Sequence, residues 1–382
     1  MSKYAIVVVG YNRTAGILRL LKSLKKAEYG EDNVDLIISL DNCGNDIVER
    51  AVEKVTWTHG NKIIRTFPER QGLRKHILAC GEYLNEYEAI AVLEDDLIVS
   101  PAFYSYMVQS IEYYKGDSEI AGISLYTHGM NVNEELPFTP AVNSSDVYFQ
   151  QFAQSWGQIW IREPWMEFKK WYLENHEKPI ADVTVPEFVS SWSDNSWLKY
   201  HIKYCIENKK YFVYPYTSLT TCFSDAGEHS AGTTDFYQVR LMMDTKKKYH
   251  FEKLENGIVY DAFFERCDLW KYLDCQEDEL CVDLYGTKKN QQGKKYWLTK
   301  TQSPYQVVKK YGLCMRPHEH NVIFDIEGTD IFLYDTTKAG NVISKSTWKQ
   351  NNKIVQYYYN FNADFKKALS YIVWKIHKKF GR

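Results

Sequence analysis

The sequence predicts an α/β fold: a mixed, mostly parallel sheet with helices on both faces, followed by a C-terminal α+β extension. Two observations carry that prediction. From Tyr4 onward, short apolar runs of strand length alternate with segments of helical periodicity, the pattern of successive βαβ units. In addition, Ala89-Ile90-Ala91-Val92-Leu93 is a continuous apolar run, as expected of a strand buried on both faces. It leads into three consecutive acids, Glu94-Asp95-Asp96, before a second apolar trio, Leu97-Ile98-Val99, and Ser100-Pro101. Acids at the end of such a strand are either a solvated turn or a ligand site, since open α/β sheets bind at the carboxyl ends of their strands.

The elements follow in order. Tyr4–Gly10 is a buried strand, and Tyr11-Asn12-Arg13-Thr14 is the turn into a helix with Thr14 as N-cap and Ile17, Leu18, Leu21 and Leu24 at helical spacing. Arg13 at this turn holds a phosphate or solvates the loop. Val34–Leu40 is the second strand and ends in Asp41-Asn42-Cys43-Gly44. Asp41 there accepts a hydrogen bond from a base or ribose, or caps the helix that begins near Asp46. Lys62–Thr66 reads as an edge strand, and Gly72–Leu84 as a helix whose Arg74, Lys75 and His76 stand at the front, where they can face a pyrophosphate.

Beyond the acids, Phe103–Tyr114 reads as a helix, Ile120–Tyr126 as a strand and Asn131–Ser145 as a loop. Tyr148–Trp160 is dense in aromatics and amides, suited to a sugar platform and equally to a core. Ser190–Trp197 opens a helix running towards Glu207, with Asp194 or Ser193 near its first turn, and Tyr211–Pro215 is a strand. The loop Thr217–Thr234 contains Asp225-Ala226-Gly227-Glu228-His229-Ser230-Ala231-Gly232. Its His229 is a phosphate or metal contact, or an ordinary surface histidine.

The whole-chain figures narrow the function. With 382 residues and a net charge of −2, the chain has room for one large or two modest domains and lacks the basic excess of a general nucleic-acid binder. Thirty Tyr and 11 Trp suit flat, amphipathic ligands such as sugars and equally reflect a compositional bias of the genome. None of the eight cysteines forms a C-x-x-C pair, so they read as reduced thiols of a cytoplasmic protein. The amino terminus shows no targeting pattern, and no stretch is apolar enough to span a bilayer. There is no G-x-G-x-x-G after the first strand and no Walker A loop. A phosphate ligand is therefore better neutralised by a metal at the three acids, and hard oxygen ligands suit Mn²⁺ or Mg²⁺.

On these residues the chain resembles GT-A (Rossmann-like) glycosyltransferases, in particular the N-acetylglucosaminyltransferase I group and bacterial family 2-like relatives. The segments that carry the resemblance are the opening through Gly10-Tyr11-Asn12-Arg13, Ser39–Gly44, Val92–Pro101, Ser155–Trp160 and Ser191–Asp194. The resemblance implies inverting transfer of a hexose or N-acetylhexosamine from a nucleotide-diphosphate sugar, usually a UDP sugar, with Mn²⁺ or Mg²⁺. By position it places Asp41 against uracil, Arg13 by the nucleotide, Glu94 on the donor sugar, Asp95 on the ribose and Asp96 on the metal. Arg74, Trp156 and His229 complete the expected donor site, and Asp194 matches the catalytic base. The chain departs from the pattern in having Ser193-Asp194-Asn195 where the compared member has paired acids, and in a shorter segment around Arg74.

The expected organisation is a GT-A domain over 1–240, an extension over 241–360 and a basic amphipathic helix over 361–382. In the last segment Phe365, Leu369, Ile372, Val373, Ile376 and Phe380 share a helical face ringed by Lys366, Lys367, Lys375, Lys378, Lys379 and Arg382. Such a helix lies on anionic lipid or docks on its own domain. The lipid reading gives a peripheral membrane enzyme with a glycan or lipid-linked glycan acceptor in bacterial surface polysaccharide synthesis. Two alternatives are a sugar nucleotidyltransferase, which lacks support in the Gly-poor turn after the first strand, and a catalytically silent carbohydrate-binding protein, which has no need of the acids. His318-Glu319-His320 and the expected strands Val322–Phe324 and Ile331–Tyr334 belong to the extension.

Overall fold

The computed structural model describes residues 3–223 and 236–341, with scattered positions between 353 and 376. In chain order, β1 (Tyr4–Gly10), α1 (Thr14–Leu24), β2 (Asp35–Leu40), α2 (Ile47–Glu53), β3 (Lys62–Thr66), α3 (Leu73–Cys80) and β4 (Ala89–Glu94) form the alternating first part. Then come β5 (Leu97–Val99), α4 (Phe103–Tyr114), β6 (Ile120–Ser124), the small hairpin β7 (Met130–Asn131) and β8 (Leu136–Pro137), β9 (Val147–Gln150) and β10 (Gln158–Ile161). After these are α5 (Arg162–Asn175), one-turn α6 (Glu187–Ser190), α7 (Leu198–Glu207), β11 (Tyr211–Pro215), β12 (Thr220–Cys222) and β13 (Val259–Tyr260). The extension adds β14 (Leu280–Asp283), β15 (Tyr296–Thr299), β16 (Tyr305–Tyr311), α8 (His320–Ile323) and β17 (Ile331–Ala339).

Nine strands make one sheet in the order β13-β9-β11-β6-β10-β4-β1-β2-β3. β3, β2, β1 and β4 run parallel, as their alternation with helices requires. The mixed character enters where the chain stops alternating: β10 inserts antiparallel between β4 and β6, and β9 lies antiparallel to β11. β-strand side chains alternate between faces, so β1 sends Ile6 and Val8 into one core and Ala5, Val7 and Val9 into the other. The first core is closed by Leu20, Leu21 and Leu24 of α1 and Met107 and Ile111 of α4. The second is closed by Ile77 of α3, Trp165 and Phe168 of α5 and Ile202 of α7. Burial on both faces is why these strands are continuously apolar.

Several local expectations differ in the structure. α1 begins at Thr14, but Arg13 occupies the cap position and no side chain caps the helix. The expected helix Gly72–Leu84 ends as α3 at Cys80, and Gly81–Asn85 tightens into a 3₁₀ turn. A Cβ on Gly81 would run into the Trp165 indole, so this position favours glycine. α7 begins at Leu198, which leaves Asp194 in the preceding turn and not in the helix's first turn. Val322 and Ile323 end the short helix α8 and Phe324 follows it in a turn, so no strand forms there. The Asn321 side chain accepts from the amides of Cys314 and Met315 and donates to the carbonyls of Met315 and His318, folding the chain around itself. His318 shares a hydrogen bond of 2.8 Å with the Tyr358 hydroxyl, and among the described residues no group of three or more His, Cys, Asp or Glu is placed to hold a metal.

The extension folds as a second sheet, β14-β15-β17-β16, around Val282, Leu298 and Leu333. Among the polar contacts that join it to the preceding part of the chain, the Tyr260 hydroxyl of β13 donates to Glu319 at 2.6 Å, and Lys288 pairs with Asp261 at 2.6 Å. No helix of the described residues is long and apolar enough to cross a membrane.

Candidate functional site

Parallel strands point their carboxyl ends the same way, so Gly10, Leu40, Thr66 and Glu94 end β1, β2, β3 and β4 on one side of the sheet. The loops that follow them build the site.

After β2, Asp41 is buried and accepts three backbone N–H groups: Asn42 (2.8 Å) and Gln71 (2.7 Å) at Oδ1, and Gly72 (2.9 Å) at Oδ2. The carboxylate thus ties the end of β2 to the entry of α3. Gly72 turns into that helix at φ +75°, a left-handed conformation that favours glycine. The Asn42 amide donates to the carbonyls of Phe67 and Pro68 at 3.1 and 2.8 Å. These bonds frame a cleft of about 500 Å³ whose walls include Tyr11, Asp41, Asn42 and Phe67. The Arg70 guanidinium stands 4.9 Å from the centre of the Tyr11 ring. Beneath the cleft His76 shares a buried hydrogen bond of 2.8 Å with Ser39, and burial lowers its pKa to about 4. His76 is therefore a neutral support and not a cation facing a phosphate.

After β4, Glu94 is the last strand residue and Asp95-Asp96 make the turn into β5. β5 pairs with β12, and the Phe223 N–H donates to the Asp96 carbonyl at 2.7 Å. Arg13 bridges the two aspartates: Nη2 donates to Asp95 and Nη1 to Asp96 at 3.3 Å. Asp95 is almost wholly buried, and burial pushes its carboxyl up to about 6 against the opposing pull of Arg13. Burial, with the charges of Asp96 and Asp95 added, pushes Glu94 up to about 8.

A second cleft, of about 370 Å³, opens beside Glu94 and Ser155, with Trp192, Ser193, Asn195 and Ser196 on its wall. Asp194 is absent from that lining. Its carboxylate accepts from Lys199 Nζ at 3.1 Å while its side chain is 98% exposed. Arg74 is engaged sideways, donating to the Tyr200 hydroxyl at 3.0 Å. Trp156 stacks on Tyr237, ring centres 4.9 Å apart, and packs against Tyr126 at 4.7 Å, so its ring belongs to the aromatic core. His229 lies outside the described residues.

The structure therefore brings together Arg13 and the acid turn Glu94–Asp96, and sets Asp41 in the neighbouring loop across β1. Lys199 carries no signal of a site in the sequence. A lysine between Leu198 and Tyr200 reads as the solvent side of a helix, yet it is buried, with Nζ 3.2 Å from the Trp192 carbonyl. The Ser155 and Asn195 contributions to the second cleft carry no local signal, since distant segments meet there.

Asp96 fits a divalent ion of the Mg²⁺ or Mn²⁺ kind in one specific way. It is a partly exposed carboxylate in the turn after β4, and among the described residues no group of three or more His, Cys, Asp or Glu is placed to hold the ion by protein ligands alone. Such ions are commonly held by one or two carboxylates, with substrate phosphates supplying further oxygens.

Residues 5–164 match the family described as Glycosyl transferase family 2. That segment contains Arg13, Asp41, Arg74, Glu94, Asp95, Asp96 and Trp156, and Asp194 lies beyond it. No curated protein matches the chain. Among solved structures, the chain is similar to a mannosyltransferase from Pyrobaculum calidifontis in complex with GDP-Man and Mn²⁺, at 14% identity and a TM-score of 0.32, over 42% of this chain and 45% of that one. It is also similar to S. aureus TarS 1–349 in complex with UDP-GlcNAc, at 15% identity and a TM-score of 0.38, over 59% of this chain and 60% of that one. The chain thus spans less than two thirds of the length of either structure.

Proposed function

We propose, from the glycosyltransferase family 2 domain with its GT-A-like fold over residues 5–164, that the chain transfers a sugar from a nucleotide-diphosphate donor to a hydroxyl of a glycan or lipid-linked glycan, with inversion. The observation that carries this reading is the order of parts across the strand ends. The 500 Å³ cleft lies at β2 and β3, Arg13 follows β1, the acids follow β4, and the 370 Å³ cleft opens beyond Glu94. Base, diphosphate, sugar and acceptor have that same linear order.

In this reading the donor is a UDP sugar carrying a hexose or N-acetylhexosamine, as in the N-acetylglucosaminyltransferase I group. Tyr11, Asp41 and Asn42 receive the base. Asp95 binds the ribose and Glu94 the sugar. Asp96 holds Mn²⁺ or Mg²⁺, which supplies charge neutralisation for the departing diphosphate. Arg13 adds a second positive charge there, and Arg74 does so after release from Tyr200. Asp194 takes the proton of the acceptor hydroxyl as its oxygen attacks the anomeric carbon, after the turn holding it swings its carboxylate toward the second cleft. Trp156 underlies the sugar side through its aromatic stack, and His229 joins the diphosphate.

The acceptor end of the reading draws on the carboxyl terminus. Leu369, Ile372, Val373 and Ile376 are spaced along one helical face, and all are about half exposed. With the basic residues around them in the sequence, this face suits an anionic membrane surface, as a peripheral enzyme of polysaccharide synthesis on the cytoplasmic side would need.

The test is donor binding and turnover. UDP with Mn²⁺ raises the thermal midpoint, because a ligand that binds only the folded chain stabilises it. A screen of UDP sugars then reveals metal-dependent hydrolysis of one or more. Asp96→Ala removes the metal-dependent part of UDP affinity in calorimetry and leaves the fold intact. Unchanged Mn²⁺-dependent affinity in that variant overturns the role of Asp96.

A further inference from the structure

We infer that Arg13 is a built-in counter-cation that occupies the metal's place beside Asp96 until the nucleotide arrives, making metal and nucleotide binding cooperative. The inference rests on the donor-binding reading above and adds to it an order of binding.

Three consecutive carboxylates on one tight turn cannot separate, and leaving buried carboxylates without a cation is costly. Arg13 meets that need with one planar fork, one arm on Asp95 and the other on Asp96. The two arms are not equal. Asp95 is 5% exposed at its side chain, whereas Asp96 is 22% exposed and its contact measures 3.3 Å. The Asp96 arm is thus the one that solvent and an incoming ion reach.

The backbone of Arg13 is anchored, because its carbonyl accepts the Ile17 N–H at 3.1 Å in the first turn of α1. The guanidinium can therefore swing without leaving the site. A divalent ion at Asp96 meets this like charge at close range and is repelled. A diphosphate placed between them changes the sign of the interaction, since its oxygens ligate the ion and accept from the displaced Nη1 together. Nucleotide binding thereby strengthens metal binding, and by linkage the reverse holds to the same factor.

The experiment measures Mn²⁺ binding to the full chain by calorimetry and by loss of the free-ion EPR signal, each with and without UDP. The wild-type chain is expected to bind Mn²⁺ at least about tenfold more tightly with UDP than without. Arg13→Met is expected to bind Mn²⁺ about tenfold more tightly than wild type without UDP, and to show a much smaller gain when UDP is added. Arg13→Lys keeps a charge but cannot fork across both aspartates, so it falls between the two and covers the case in which Arg13→Met does not fold. If the folded variants bind Mn²⁺ without UDP no more tightly than wild type, while wild type binds it with UDP, the inference fails and the donor-binding reading stands. If wild type binds neither UDP nor Mn²⁺ in the other's presence, the donor-binding reading fails and takes the inference with it.

Discussion

Lys199 and Asp194 form an ion pair of 3.1 Å in which the cation is buried and the anion fully exposed. The Lys199 ammonium also reaches the Trp192 carbonyl at 3.2 Å, so it fastens both ends of the turn that walls the second cleft. The Asp194 carboxylate is engaged by this contact and does not line that cleft. Its use as a base then requires the turn to rearrange around Lys199 when an acceptor enters.

Asp194→Asn keeps the shape and the contact with Lys199 but removes the base. Turnover should fall by roughly 10²–10⁴-fold, while the Kd for UDP hardly changes. The thermal midpoint should stay close to wild type, because the amide oxygen still accepts from the buried Lys199 and the replaced carboxylate is itself exposed. Near-normal turnover would place the base elsewhere, with Asp225 and Glu228, which lie outside the described residues, the next to test.

The parts of this chain that could be read in advance are those in which local pattern and burial agree. β1 and α4 have the predicted ends, because a continuous apolar run and a 3.6-residue period report directly on two-sided burial and on one buried helix face. The antiparallel insertion of β10 between β4 and β6 had no local signal, since strand order is a property of the whole sheet. Asp41 stood out as a polar residue at a strand end, but its three amide partners come mostly from a loop thirty residues further on, which no spacing rule connects to it. Arg13 was legible as a cation at a turn. Its bond to the acids was not, because β1 and β4 become neighbours only in the sheet.

The apolar face at Leu369, Ile372, Val373 and Ile376 supports a second prediction. A chain ending at Asn360 should stay folded, with its UDP affinity unchanged, yet lose co-sedimentation with acidic liposomes at low salt. Full-length protein that never co-sediments with such vesicles rules out the membrane reading.

Acid stability follows from four buried histidines. Burial lowers His76 to about 4, and His128, His201 and His318 to about 3, from an ordinary value of 6.5. Between those values the unfolded chain binds protons that the folded chain refuses, so stability is present above 6.5 and is lost as pH falls below it. Each histidine adds a slope of about 1.4 kcal/mol per pH unit in that window. His201 isolates one of them. It stacks on Phe168 with ring centres 4.0 Å apart, and neither ring nitrogen has a hydrogen-bond partner among the described residues. His201→Leu should match wild type or exceed it at pH 7 and flatten the urea-midpoint profile below pH 6.5 by one proton. A profile with the same slope in the variant would show that His201 is not held neutral.

Glu94 acts in the opposite direction. Its carboxyl is pushed up to about 8 by burial and by Asp96 and Asp95, against an ordinary value of 4.5. Above pH 4.5 the unfolded chain has released a proton that the folded chain retains, so stability contributed at low pH is lost as pH rises towards 8. Glu94→Gln removes the titration while keeping the shape. In the absence of ligand the variant should match wild type near pH 5 and exceed it at pH 8 by on the order of 2 kcal/mol or more, measured by urea unfolding. It should also lose sugar transfer, because the same carboxylate contacts the donor sugar in the proposed function. Stability and activity then part company at one residue, as is common where a site holds charges against their solvation. Equal unfolding midpoints for variant and wild type at both pH values would show that Glu94 is ionised at no cost in the folded chain.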